Sequence, residues 1–289
     1  MPRRVAGVVF AVVVLGGGTV ACGEGSASEG RAAVTPGAAV AEAARHAGDI
    51  SSLRYRVTGV LPEKGRVEAE ASMGTEPSVM GMRMTTTEQG AEHRLEIRFV
   101  GDAMYVGGSA LASEKLDGKG WFSAEPAAWG RGSWDNNSYG VLPRQLEGNP
   151  AVQSTLLTGS KDLRETGTET VEGTRTTHYR GTVTRSGLGA ARDAAADKET
   201  RLHRIESLDQ FIGLYLADTL TMDLWVDDDH HTKRFRLRGD VRASRGVAEG
   251  ERLDLTFTFL DVDRPVTVEA PPAEDTADLA AAADEAAAG

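Results

Sequence analysis

The residues densest in chemical potential are Asp227, Asp228, Asp229, His230 and His231, which run as "DDDHH". Three carboxylates beside two imidazoles are suitable donors for a divalent metal. Their spacing argues against it. Adjacent strand residues point to opposite faces, so His230 and His231 do not converge on one ion, and the run separates two alternating apolar segments as a hairpin turn would. A solvated turn is expected. His178, in "TTHYRG", falls on the polar face of a strand with Thr176 and Arg180, while His46, His93 and His203 stand alone. No Gly-x-Ser-x-Gly elbow, Ser-x-x-Lys, His-Glu-x-x-His or phosphate-binding loop occurs after residue 21. The expectation is a chain that is not an enzyme and takes neither a metal nor a cofactor.

The remaining reactive group is the thiol of Cys22, the single cysteine of the chain. It has no partner for a disulfide and no second thiolate for zinc. Its position is informative. A cationic start at Arg3 and Arg4 precedes the apolar run "VAGVVFAVVVLGGG", Val5 to Gly18, which is short for a span of about 30 Å of hydrocarbon and has the length of a signal-peptide core. Thr19, Val20 and Ala21 then place small residues before the cysteine. This stretch resembles the lipobox of bacterial lipoproteins, with Thr19 where that motif usually has Leu. The resemblance implies removal of residues 1–21, attachment of diacylglycerol to Cys22, and an extracytoplasmic protein anchored to the outer face of the cell membrane. Several acyl chains hold a protein on a bilayer far more firmly than one.

The formal charge is −11, and losing Arg3 and Arg4 with the leader makes the remainder more acidic still. Such a chain is repelled by anionic membrane surfaces and has no electrostatic footprint for nucleic acid. Holding the membrane would fall to the anchor. Residues 22–37 include "GEGSASEGRAAVTPG", small, polar and aperiodic, the composition of a flexible spacer. Residues 274–289 are Ala/Asp/Glu-rich without an apolar face and are expected to be a disordered tail. A single folded domain is expected over 38–273.

Within that domain, apolar and polar residues alternate repeatedly, the signature of strands that bury one face. Leu53, Tyr55, Val57 and Leu61 oppose Arg54, Arg56 and Thr58; Val67, Ala69, Ala71 and Met73 oppose Arg66, Glu68, Glu70 and Ser72. Met80, Met82 and Met84 align, as do Leu95, Ile97 and Phe99 against Arg94, Glu96 and Arg98. The pattern resumes with Leu220, Met222, Leu224 and Val226, then Phe235 and Leu237, then Leu253, Leu255, Phe257 and Phe259. Short turns between them predict an antiparallel meander of roughly nine to eleven strands, wet on one face, that curls as strand twist accumulates. Helices are few: one near 37–49, one or two short ones around 141–157, and "KETRLHRIESLDQFIGLYLA". There Leu202, Ile205, Leu208, Phe211, Ile212 and Tyr215 recur at the spacing of one apolar helical face. Trp121, Trp129 and Trp134 stand in a Gly- and Ser-rich stretch suited to a lid or rim at one end of the sheet.

Several phrases in order, "VGDAMYVGG", "GWFSAE", "GTETVEGTRTTHYRGTV", "MDLWVDDDHHTKRFRLR" and "FTFLDVDRPVTVEAPP", resemble the LolA-like fold, nearest the LppX/LprG group of cell-envelope lipoproteins. The resemblance implies a mainly β protein with α elements. A large curved antiparallel sheet would form an open half-barrel, with a few helices covering its concave apolar face. It also implies a lipid or lipoglycan ligand carried through the envelope, or, in relatives that sense envelope stress, a protein partner. For a ligand the candidate lining is Met80, Met82, Met84, Leu95, Ile97, Phe99, Met222 and Leu224. Methionine is flexible and polarisable, which suits both a variable ligand and the filling of an irregular core. Both readings stay open at this stage.

Overall fold

The computed structural model describes residues 34–62, 64–109, 118–124, 142–242 and 251–278. The leader, Cys22, Trp129 and Trp134 lie outside them. The chain enters through α1 (Pro36–Gly48), whose first turn is fixed twice over: Pro36 presets φ, and the Thr35 side chain accepts the amide of Ala38. Ala39, Val40, Ala43 and Ala47, three and four residues apart, are its buried stripe. Their small size allows close approach to whatever lies beneath.

Two antiparallel meanders follow. The first comprises β1 (Ser52–Leu61), β2 (Gly65–Thr75), β3 (Ser78–Glu88), β4 (Ala91–Val100), β5 (Ala103–Gly107) and β6 (Trp121–Ala124). The second comprises β7 (Arg164–Val171), β8 (Thr174–Thr184), β9 (Thr219–Asp227), β10 (Thr232–Asp240) and β11 (Arg252–Val262). Antiparallel pairing of β1 with β11 joins them, and β12 (Thr276–Asp278) adds in parallel to β6. The order is β12-β6-β5-β4-β3-β2-β1-β11-β10-β9-β8-β7, a single open sheet of twelve strands that does not close on itself. This is the open half-barrel class expected, with one strand more than the upper bound read from the periodicity. β12 is the addition that the pattern did not show. Its three residues lie in the segment 274–289 expected to be disordered, and the rest of that segment, 279–289, lies outside the described residues. The composition of "TAD" carries no strand signal; the unpaired edge of β6 supplies the pairing partner instead.

Register carries the argument from sequence to core. One rung of cross-strand partners runs Tyr179, Leu224, Phe235, Phe257, Val57, Ala69, Met84, Leu95 across eight strands, every member on the inner face. Period-2 alternation puts Arg56, Glu70, Arg83 and Glu96 on the outer face. Gly59 lets β1 stay paired where no other residue would fit: its φ is +147°, and a Cβ there would sit 1.9 Å from the carbonyl oxygen of Asp254. The edge strand β7 exposes every side chain but Val171 and carries Arg164, Glu165 and Glu169, charges that discourage edge-to-edge pairing.

The inner face is roofed by α1, α2 (Pro150–Ser154), α3 (Arg185–Asp193), α4 (Lys198–Gly213) and a 3-10 turn at Thr155–Gly159. Ala39, Val40, Leu156, Leu157, Leu188, Phe211 and Leu214 from this roof join the strand side chains in one buried cluster. Among the described residues, no helix is long and apolar enough to cross a membrane. After β11 the chain runs extended across the outer face. Val266 and Val268 lie against Gly74 of β2 and Gly81 of β3, the outward positions where a missing side chain leaves room. Arg98 donates to the Glu269 carbonyl at 3.0 Å, and the strap ends at β12.

Candidate functional site

The eight candidate lining residues share the inner face, as their alternation requires, but they do not form one lining. Met82, Met84, Met222 and Leu224 belong to the helix-roofed cluster and are buried, with Met222 and Leu224 at 0% and 1% exposure. Ile97 and Phe99 belong to a second cluster with Met104 and Val106 at the β4–β6 end of the sheet. In that cluster, among the described residues, Leu142 is the only member from outside the sheet. Met80, Leu95 and Leu142 are half-buried and pack against both clusters, so they form a seam between the roofed part of the sheet and its far end. Ala69 and Ala71 on β2 are the buried cross-strand partners of Met84 and Met82.

The outer face holds a charge cluster that sequence reasoning missed. Asp223 on β9 is buried and accepts from three cross-strand neighbours: His178 Nε2 at 2.7 Å, Arg180 Nε at 2.5 Å and Arg238 Nη2 at 2.6 Å. Burial by itself raises the pKa of this carboxyl, and the hydrogen bonds from Arg180, His178 and Arg238 outweigh it, so the pKa ends below the usual carboxylate value. His178 stacks on Trp225 at 4.2 Å, its Nδ1 lies 3.3 Å from Glu169 Oε1, and Arg234 covers the Trp225 ring. His178 thus takes the polar face with Thr176 and Arg180, as expected. The signal for the cluster lay in a lone Asp within "TMDLWV", but its partners become neighbours only through strand register.

"DDDHH" is the β9–β10 turn. Asp227 Oδ1 accepts the amides of Asp229 and His231, at 3.1 and 2.7 Å, so this carboxylate orders the turn itself. His231 stacks on His46 of α1 with ring centroids 4.7 Å apart, which ties the turn to the roof.

Beneath the strap, an open groove of about 840 Å³ lies on the outer face between β1–β4 and residues 267–269. Its walls carry both signs of charge, with Arg56 paired to Glu70 and both Arg83 and Arg98 to Glu96. Such a lining suits polar chemistry rather than an acyl chain.

No family model matches the sequence. The chain is 25% identical over 249 residues to a Streptomyces coelicolor protein described as "Putative lipoprotein SCO4650", covering 81% of this chain and 72% of that one. It is 27% identical over 197 residues to an uncharacterized 31.2 kDa protein of Streptomyces griseus, covering 66% of this chain but only 59% of the relative. Among solved structures it is similar to the lipoprotein LppX of Mycobacterium tuberculosis, with 16% identity, a TM-score of 0.45, and coverage of 81% of this chain and 98% of that one.

Proposed function

We propose that the protein is an envelope lipoprotein, tethered to the outer face of the cell membrane through acylated Cys22, which binds a lipid or lipoglycan against the inner face of its sheet and carries it. The observation that carries this reading is the seam of Met80, Leu95 and Leu142, half-buried apolar side chains where two clusters meet on one continuous apolar sheet. Acyl chains entering there would be held by apolar burial, at about 25 cal/mol per Å² before ordering costs. The fully buried Met222 and Leu224 would act as the floor that keeps the sheet curved around such a ligand. The relative described as a lipoprotein and the motif at Cys22 support the tether.

A second reading has its own support. The groove under the strap, lined by Arg54, Arg56, Glu68 and Glu269, offers a polar surface to a protein partner, as a sensory subunit would need. Mass spectrometry of organic extracts from the purified protein separates the two. A carrier yields a bound lipid in near-stoichiometric amount, and an empty protein that captures a receptor ectodomain overturns the carrier reading. For the tether, Cys22→Ser moves the protein from the membrane to the aqueous fraction; retention in the membrane would overturn it.

A further inference from the structure

Helix α4 is rotated away from the orientation that its apolar stripe predicts. Leu202, Ile205, Leu208, Phe211, Ile212 and Tyr215 have the spacing of a core-facing stripe, yet the side chains buried from α4 are Ser207, Gln210 and Phe211. Leu208 is half-buried, while Leu202, Ile205, Ile212 and Tyr215 are 49%, 38%, 45% and 38% exposed. Only two other large apolar side chains among the described residues, Val34 and Val60, are comparably exposed. The rotation has a polar cause. Ser207 Oγ lies 2.6 Å from Thr155 Oγ1, and Arg204 donates to Thr158, so hydroxyls and a guanidinium hold the face turned toward the neighbouring 3-10 turn.

The outward face is a stripe. Leu202, Ile205 and Ile212 are three and seven residues apart and fall on one side of the helix over about 15 Å. Exposed Lys198 and Arg201 share that side at its N-terminal end, Asp209 lies along it, and exposed Glu199 and Glu206 flank Leu202 on its other side. A helix that buries Ser207, Gln210 and Phe211 but presents Leu202, Ile205 and Ile212 leaves most of its apolar stripe for something outside the fold.

We infer that the Leu202–Ile205–Ile212 face of α4 rests on the lipid bilayer to which the chain is tethered, with Lys198 and Arg201 at the anionic headgroups. This rests on the membrane-tethered reading above. Thirteen residues lie between Cys22 and Pro36, a contour of at most about 50 Å, so a chain held at Cys22 keeps its domain next to a lipid surface. The N-terminal half of α4 also adjoins the C-terminal end of α1, the helix whose other end the tether enters: a Cβ on Gly48 would lie 3.2 Å from the His203 ring. An apolar stripe with cations at one end is a composition that can lie in a headgroup layer, whereas the acidic chain as a whole would be repelled by it. Contact through α4 would bring the roof of the apolar sheet, not its charged outer face, to the source of the lipid.

The experiment uses the acylated protein in vesicles of phosphatidylcholine and phosphatidylglycerol. With the Cys22 thiol acylated, Ile205→Cys provides the sole free thiol for an environment-sensitive dye, and Val60→Cys provides an exposed control on β1. The expected result is a blue shift and quenching by nitroxide-labelled lipid at position 205 and neither at position 60. Lys198→Glu together with Arg201→Glu should reduce the quenching in anionic vesicles and leave it unchanged in neutral ones. A second arm uses chain carrying Cys22→Ser and Ile205→Cys from the aqueous fraction, titrated with the same vesicles, so that failure of the tether leaves the helix testable. There, Leu202→Gln with Ile212→Gln should abolish the shift without moving the thermal midpoint, because both side chains are exposed. Position 205 as unquenched as position 60 in both arms overturns the inference. A shift that grows with protein concentration in the absence of vesicles also overturns it, assigning the stripe to a second copy of the chain.

Discussion

Nε2 of His178 lies 2.7 Å from Oδ1 of Asp223, a carboxylate buried on the otherwise charged and solvated face of the sheet. Asp223 holds β8, β9 and β10 together laterally, because its donors His178, Arg180 and Arg238 come from the strands on either side. Asp223→Ala leaves those donors without their anion and should cost about 2–4 kcal/mol, somewhat below the usual range for a broken buried pair because both arginines are about one-third exposed. Chemical denaturation of parent and variant measures it; a loss within experimental error would show that the cluster is decoration.

The same carboxylate sets a pH dependence. Its folded pKa lies below the ordinary value, so its contribution is fully present above the unfolded pKa of about 3.9 and is lost as pH falls through the folded value. Asp162, lowered chiefly by the Thr182 amide and next by Ser160, acts with the same sign. Stability should therefore fall below about pH 4, and Asp223→Asn should flatten that fall while lowering the plateau above it. An Asn variant with an acid limb as steep as the parent's would assign the acid sensitivity elsewhere.

Two positions on the inner face should separate core from seam. Leu224 is packed on every side, so Leu224→Trp should destabilise by about 1–3 kcal/mol, the usual effect of overpacking. Met80 and Leu95 are half-buried at the seam, so Met80→Trp or Leu95→Trp should change stability by less than about 1 kcal/mol and reduce co-purifying lipid. Unfolding midpoints and lipid content measured on the same preparations decide; unaltered lipid content in both seam variants would place the ligand elsewhere.

Gly59→Ala tests the joint between the two meanders. The added methyl meets the Asp254 carbonyl at a backbone conformation that L residues rarely adopt, and the expected cost is at least about 2 kcal/mol. A neutral substitution would mean that the β1–β11 pairing near Asp254 is dispensable.

Deleting residues 279–289 should leave the melting temperature unchanged, since that alanine-rich segment has little to bury. Deleting 274–289 also removes β12, the Asp275 carboxylate that accepts the Gly120 amide at 2.7 Å, and the Thr276 carbonyl held by Lys119. That deletion should cost about 1–2 kcal/mol and bare the edge of β6. Equal melting temperatures for the two truncations would show that the parallel strand contributes nothing.

What the sequence determined by itself was the two-faced sheet: alternation is a local property, so Tyr55, Val57, Met82, Ile97, Leu224 and Phe257 could be assigned to one face from their own neighbours along the chain. The β9–β10 turn at Asp227–His231 was legible for the same reason. Tertiary structure decided everything that depends on which strands become neighbours. Register gathered Arg180, Asp223 and Arg238 from three strands into one buried cluster, and it divided the candidate lining between two clusters with Met80 and Leu95 at the seam. The free edge of β6 made a strand of Thr276–Asp278, whose own residues favour none. Hydroxyl contacts from Thr155 and the bond from Arg204 to Thr158 set the rotation of α4 against its apolar periodicity. Periodicity records how much apolar surface a helix has; only the partners packed against it decide which way that surface faces.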